Sequence, residues 1–190
     1  MIKAALFFIM LISFSSVVYP FTNGSLNMNI TEGWNIVPQI NSSALNFSRL
    51  ESEFDGNITF FSYWNNTNQS YKSYVVNRSL NSEFQIPSGD SYLVYTTVNT
   101  SMETRTFNLT DRNYTLTTRW NLLFSRNSTG ENISMINASI GVNASIISYW
   151  NNTNKLKYSA IPKFTVNHDV RIPFLESFWL FMNNETRWLR

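Results

Sequence analysis

The segment Ser62-Tyr63-Trp64-Asn65-Asn66-Thr67-Asn68 returns, residue for residue, as Ser148-Tyr149-Trp150-Asn151-Asn152-Thr153-Asn154, 86 positions further on. Outward from these two segments the match continues without a gap. Trp34-Asn35 aligns with Trp120-Asn121, and Ile86-Pro87 with Ile172-Pro173. Ser91-Tyr92-Leu93-Val94-Tyr95 matches Ser177-Phe178-Trp179-Leu180-Phe181 in character. Between Trp34 and Thr100, 20 of 67 aligned pairs are identical, and Asn27-Met28-Asn29-Ile30 extends the match upstream against Asn113-Tyr114-Thr115-Leu116. An identity this long inside an ungapped alignment marks an internal duplication. The period is too long for a thin solenoid and suits a small β domain. It divides the chain into an N-terminal segment, 1–19, a first repeat, 20–105, and a second, 106–190.

The repeated unit reads as strands. Residues 57–64 (NITFFSYW) are aromatic and β-branched, and a turn-rich NNTN follows. Residues 60–64 and 71–76 are expected to form a hairpin, and 146–150 with 156–161 its second copy. Residues 91–98 alternate as a half-buried strand should. Pro87-Ser88-Gly89-Asp90 before them is a turn, with Pro fixing φ and Gly supplying positive φ. Residues 104–110, 114–118 and 120–124 are expected as further short strands. Residues 46–54 and 132–140 read as one or two helical turns, with Leu50 and Phe54 on one face. The fold class expected is all-β: two tandem homologous small domains of sandwich or barrel type. In strand 57–64, Asn57, Thr59, Phe61 and Tyr63 should share one face, and Ile58, Phe60, Ser62 and Trp64 the other. Aromatics on both faces predict that the two copies pack on each other or that a partner covers one face.

Seventeen Asn-x-Ser/Thr sequons punctuate this pattern, at Asn23, Asn29, Asn41, Asn46, Asn57, Asn65, Asn68, Asn77, Asn99, Asn108, Asn113, Asn127, Asn132, Asn137, Asn143, Asn151 and Asn184. None has Pro in the middle, and each is a candidate acceptor for an N-glycan on an exported surface. Four recur at the repeat offset: Asn41/Asn127, Asn46/Asn132, Asn57/Asn143 and Asn65/Asn151. Charged residues make up only 14% of the chain, against the usual ~25%. Hydroxyls, amides and sugars must therefore cover what charge covers elsewhere. Lys3 followed by the uncharged, apolar run 4–18 reads as a signal peptide ending near residue 19, or as an uncleaved anchor; the run is shorter than the ~20 residues of a membrane-spanning helix. Both readings export the chain to the cell surface or beyond, and membrane contact is expected only through this segment if it stays. There is no cysteine, so packing or a partner must replace disulfides. The net charge of +2 without a basic cluster implies no nucleic-acid partner.

The order Gly33-Trp34-Asn35, Ser62-Tyr63-Trp64, Tyr71-Lys72-Ser73-Tyr74 and Gly89-Asp90-Ser91-Tyr92 resembles the "GWN…YW…G-x-Y" β modules of archaeal secreted and surface-layer-associated glycoproteins. The resemblance covers both repeats. It implies envelope localisation, a structural or adhesive role and no catalytic residues. In the second copy Arg119 stands for Gly33, and Leu175-Glu176 for Gly89-Asp90, so the turn before the last strand is expected to differ there. A further comparison is with archaeal thread-type pilins, glycosylated β subunits linked by donor strands. Residues 19–30, with Leu26, Met28 and Ile30 alternating, would then act as the donor strand. The other reading, which the alignment with Asn113–Leu116 favours, makes them the first strand of their own domain.

No constellation for catalysis emerges. His168, the one histidine, lies in Val166-Asn167-His168-Asp169 without a nucleophile elbow or oxyanion loop, and reads as a loop residue. Cysteine–histidine zinc sets, calcium loops and phosphate-binding glycine loops are absent from the sequence. Glu51, Glu53 and Asp55 would share a face if on a strand, or form a solvated loop. Trp34, Trp64, Trp120 and Trp150 read as core or interface residues, with a sugar-stacking platform as the alternative. Trp188, outside the matched blocks, reads as the exposed aromatic. The expectation is a non-enzymatic, heavily N-glycosylated extracellular structural protein: a subunit or accessory of a surface filament or envelope layer. It would carry covalent N-glycans, bind itself or other envelope proteins, and need no cofactor or metal. The alternatives are a carbohydrate-binding or adhesin module and, behind it, a secreted hydrolase.

Overall fold

Strands dominate, as the alternating aromatic and β-branched segments require. The structure, a computed structural model, describes residues 26–40, 43–54, 56–77, 84–104, 113–141, 144–162 and 169–189. The first half runs β1 (Leu26–Ile30), β2 (Gly33–Pro38), β3 (Leu45–Asn46), α1 (Phe47–Glu53), β4 (Ile58–Asn65), β5 (Ser70–Val75), β6 (Gln85–Ile86), β7 (Ser91–Thr96) and β8 (Thr100–Thr104). The second half runs β9 (Asn113–Leu116), β10 (Arg119–Phe124), β11 (Glu131–Asn132), α2 (Ile133–Ser139), β12 (Ala144–Asn151), β13 (Leu156–Ala160), β14 (Arg171–Ile172), β15 (Ser177–Met182) and β16 (Thr186–Leu189). Each half has a four-stranded antiparallel sheet, β2-β7-β4-β5 and β10-β15-β12-β13. Each adds two short ribbons, β1–β8 and β3–β6 in the first, β9–β16 and β11–β14 in the second.

The registers of the two sheets coincide at the repeat offset. Gly33 faces Thr96 as Arg119 faces Met182, and Tyr63 faces Tyr92 as Tyr149 faces Phe178. Both hairpins form where the sequence places them. Residues 105–112 lie outside the described set; of the strand expected over 104–110, the described part is Thr104, which ends β8. The described part of segment 19–30 forms β1, which pairs with β8 of its own chain from Leu26↔Thr104 to Ile30↔Thr100.

One expectation about β4 changes. The register shifts between Ile58 and Phe60, where a bulge leaves Thr59 as the extra residue. A bulge breaks strict alternation, so Ile58 joins Phe61 and Tyr63 on the core face instead of lying with Ser62 and Trp64. The matching shift between Ala144 and Ile146 does the same in β12.

Each helix covers one face of its sheet. Asn46 caps α1, its Oδ1 accepting from Arg49 N at 3.2 Å, and Phe47, Leu50 and Phe54 turn inward onto Phe61 and Tyr92. In the second half Ile133, Ile136 and Ile140 pack on Ile147, Phe178 and Leu180. Each such buried side chain contributes about 1.5–3 kcal/mol relative to exposure. A third, smaller cluster of Ile40, Phe124 and Leu175 draws on both halves. Among the described residues no helix is long and apolar enough to cross a membrane.

The turn before the last strand does not differ between copies. Gly89 N donates to Gln39 O at 2.7 Å and Gln39 N to Asp90 O at 2.7 Å. Leu175 N donates to Ser125 O at 2.8 Å and Ser125 N to Glu176 O at 2.9 Å. Gly89 has φ 87° and Leu175 φ 63°; Gly33 has φ 90° and Arg119 φ 79°. The pairing of the flanking strands holds the second copy in left-handed backbone that glycine would adopt more easily.

Candidate functional site

The sheet faces opposite the helices meet at a seam between the halves. Its hydrogen bonds are reciprocal. Asn66, in the β4–β5 turn, accepts from Leu122 N at 2.7 Å and donates to Leu122 O at 3.2 Å. Asn152, in the β12–β13 turn, accepts from Ile36 N at 2.8 Å and donates to Ile36 O at 2.9 Å. Each primary amide thus acts as one strand rung on the open edge of the other half's sheet. Thr117 Oγ1 donates to Asn66 O and Thr31 Oγ1 to Asn152 O, both at 2.8 Å. Ser91 and Ser177, equivalent positions and both buried, touch hydroxyl to hydroxyl at 3.0 Å. Contact between equivalent residues is the mark of a local twofold axis.

The symmetry fails in the charged and bulky positions beside this axis. Gln69 Nε2 donates to Trp120 O at 2.6 Å and its Oε1 accepts from Trp120 N at 3.0 Å. Lys155 replaces it in the other copy, its Nζ donating to Trp34 O at 2.8 Å and Asn35 Oδ1 at 3.1 Å. Trp64 Nε1 donates to Trp120 O at 3.1 Å, whereas Trp150 Nε1 is buried with no hydrogen-bond partner. Asp90 accepts from Tyr63 OH at 2.7 Å; its counterpart Glu176 accepts from Asn152 Nδ2 at 3.0 Å. Burial raises the Glu176 carboxyl to about 7, against the opposing pull of Lys155. Burial likewise lowers the Lys155 ammonium, with Glu176 opposing. The phenols of Tyr63 and Tyr149 are pushed up, first by burial and then by Asp90 and Glu176 respectively.

Beside the seam the two sheets leave a cleft in two lobes of about 260 and 330 Å³. Trp34, Leu93 and Trp150 line the first, Trp64, Tyr71 and Trp120 the second, and Trp179, Ser148 and Lys157 border both. The rings are placed by strand register. Trp34 lies opposite Tyr95, with centroids 5.3 Å apart, and Trp64 opposite Tyr71 at 4.8 Å. Trp179 stands edge-on to Trp64 at 5.5 Å and to Trp120 at 6.3 Å.

These positions revise the aromatic assignments. Trp188 is 2% exposed, packed near Tyr114 with Nε1 donating to Ser139 Oγ at 3.0 Å; β16 pairs with β9 and folds it into the core. The exposed tryptophan is Trp34, at 43%. Trp64, Trp120 and Trp150 are half-buried at the seam. Sequence reasoning missed Asn66, Asn152, Gln69 and Lys155. The available signal was that Asn66 and Asn152 are identical within the repeated segment yet begin no sequon.

Thirteen of the seventeen sequon asparagines are described: Asn29, Asn46, Asn57, Asn65, Asn68, Asn77, Asn99, Asn113, Asn127, Asn132, Asn137, Asn151 and Asn184. None of them is in the buried class. Asn23, Asn41, Asn108 and Asn143 lie outside the described residues, as do His168 and Asp55. Among the described residues, the asparagines whose Nδ2 donates a hydrogen bond are Asn35, Asn66, Asn121, Asn152 and Asn154, none of which begins a sequon. Asn46, Asn65, Asn99, Asn127 and Asn151 instead accept through Oδ1. Glu51 and Glu53 are in α1, not on a strand. Among the described residues no three His, Asp or Glu side chains gather as a metal site would need. No known protein family, curated protein or solved structure matches the chain.

Proposed function

We propose that this chain is an exported, N-glycosylated structural protein of a cell surface, acting as a subunit or accessory of a filament or envelope layer and not as an enzyme. The observation that carries the reading is the division of labour among the asparagines. A glycan replaces a hydrogen on Nδ2, so an acceptor asparagine must leave that atom free and turned to open space. The described sequon asparagines keep Nδ2 unbonded and lie at least partly in solvent, while the asparagines that use Nδ2 to hold the fold begin no sequon. Low charge fits the same reading, since sugars would then supply the hydration that Lys and Glu supply elsewhere.

Asn137 departs from the pattern. It lies inside α2, its Oδ1 is buried without a partner, and the sequon hydroxyl of Ser139 is held by Trp188 and by Ile136 O. Glycopeptide mass spectrometry on protein from its own host tests the reading. Sugar is expected on exposed sites such as Asn68, Asn77, Asn127 and Asn184, with Asn137 bare. Unmodified protein recovered from the cytosol would refute the proposal. Electron microscopy of native surface material tests the filament or layer role; a fully glycosylated chain that stays monomeric at high concentration would remove it.

A further inference from the structure

Five of the six tryptophans gather around one cleft, and none of the five is in the buried core. A core needs its large aromatics sealed from water. Here Trp34 is 43% and Tyr71 53% exposed at the cleft walls, while Trp188 alone is sealed inside. Aromatic rings kept half-wet at a concave seam, with a few polar groups between them, are the composition of a small-ligand site.

The chemistry of the walls selects among ligands. The lining contains no carboxylate; its one charge is Lys157, and Ser148, Asn35 and the phenols of Tyr71 and Tyr149 are its other polar side chains beside the indole N–H groups. The neighbouring rings lie steeply to one another: 72° for Trp64 and Trp179, 88° for Trp120 and Trp179, 69° for Tyr71 and Trp179. Around Trp179 the rings offer no parallel slot in which a flat base or aromatic ligand could be sandwiched. A pyranose needs only one ring face. Its axial C–H groups carry partial positive charge and meet the negative π face, while its hydroxyls point outward to water and to a donor such as Lys157. Lobes of about 260 and 330 Å³ sharing Trp179 suit a short saccharide.

We infer that the tryptophan-lined cleft between the two halves binds a short pyranose saccharide, with its C–H face on the indoles of one lobe and its hydroxyls toward Lys157. This holds whether or not the chain is itself glycosylated or exported. Divergence of the repeat shapes the site. Leu93 stands where the other half has Trp179, so the first lobe stays open where a second indole would fill it.

The test is titration of the purified full chain with maltotriose, cellotriose, mannotriose and triacetylchitotriose, followed by tryptophan fluorescence and by saturation-transfer NMR on the sugar. At least one sugar is expected to give a saturable response. Trp179→Ala is expected to weaken it about tenfold or more, roughly the loss of 1.4 kcal/mol of contact. Leu93→Trp guards against a variant that only misfolds: it adds to the first half the residue the second half already carries, and should block the lobe with the thermal transition retained. The inference is overturned if none of the four sugars saturates, or if binding survives unchanged in both variants. It is also overturned if sedimentation shows a dimer that Trp34→Ala dissolves, because a second copy would then be the occupant.

Discussion

The two halves share one backbone and differ in what they ask of it. In the first, the left-handed positions 33 and 89 carry glycine, the seam is held by the neutral amide of Gln69, and Trp64 spends its indole N–H on Trp120 O. In the second, Arg119 and Leu175 occupy the same left-handed positions, Lys155 takes the place of Gln69, and the indole N–H of Trp150 has no partner. At these positions the first copy is the more relaxed. The second accepts local strain and buried charge at the seam. What stays constant is instructive: buried Asn35/Asn121, Ser62/Ser148 and Ser91/Ser177 recur in both. Asn35 and Asn121 bond the backbone of the turn just before them, Ser62 and Ser148 meet Ser73 and Ser159 across their own hairpins, and Ser91 and Ser177 meet each other across the seam.

The largest test of this comparison breaks what the halves have in common. Asn66→Ala and Asn152→Ala each leave a backbone N–H and C=O at the seam without a partner, at about 2–4 kcal/mol apiece. Both keep the sequons at Asn65 and Asn151 intact. The double variant is expected to lose about 4–8 kcal/mol in denaturant unfolding, enough to split one cooperative transition into two or abolish folding. A combined loss below about 1 kcal/mol would mean that the rungs do not hold the halves together.

The next effect belongs to the second half alone. The Glu176 carboxyl titrates near 7 in the folded chain against the ordinary 4.5. Between those values the folded protein holds a proton that the unfolded chain has released. Stability is therefore fully present below about pH 4.5 and falls as pH rises to about 7, where it levels. The change is on the order of 3 kcal/mol at ~1.4 kcal/mol per unit. Glu176→Gln should flatten this part of the pH–stability curve; an unchanged slope would assign it to other groups.

A smaller contrast separates the paired indoles. Trp64→Phe removes a made hydrogen bond and should cost about 1 kcal/mol beyond the change in ring size, whereas Trp150→Phe removes an unpaired buried donor and should cost nothing from that source or stabilise the chain. Equal losses in chemical denaturation would erase the asymmetry. Smallest is the backbone. Arg119→Gly should stabilise by about 0.5–1 kcal/mol by relieving positive φ on an exposed residue. Leu175→Gly should not, because Leu175 seals the shared cluster with Ile40 and Phe124. Melting temperatures of the two variants distinguish these outcomes.

Much of this architecture was legible in the residues. The seven-residue repeat and its ungapped surroundings placed both hairpins, both short helices and the matching order of strands, because hydrophobic period and turn chemistry are local properties. Sequons are local too, so candidate glycan positions could be enumerated without a fold. The faces of β4 were misjudged from the same string: a bulge is set by cross-strand pairing, and nothing in NITFFSYW announces that Thr59 is the extra residue. Trp188 read as exposed because it stands outside the repeated blocks, yet the pairing of β16 with β9 carries it into the core. The sequence by itself determined that there are two copies, that they are built of strands and that asparagine abounds. Only the tertiary structure decided which asparagines hold the seam, which tryptophans stay wet and where charge is buried. Those outcomes depend on contacts between residues far apart in the chain, 56 positions for Asn66 with Leu122 and 116 for Asn152 with Ile36, and no local pattern encodes how two sheets meet.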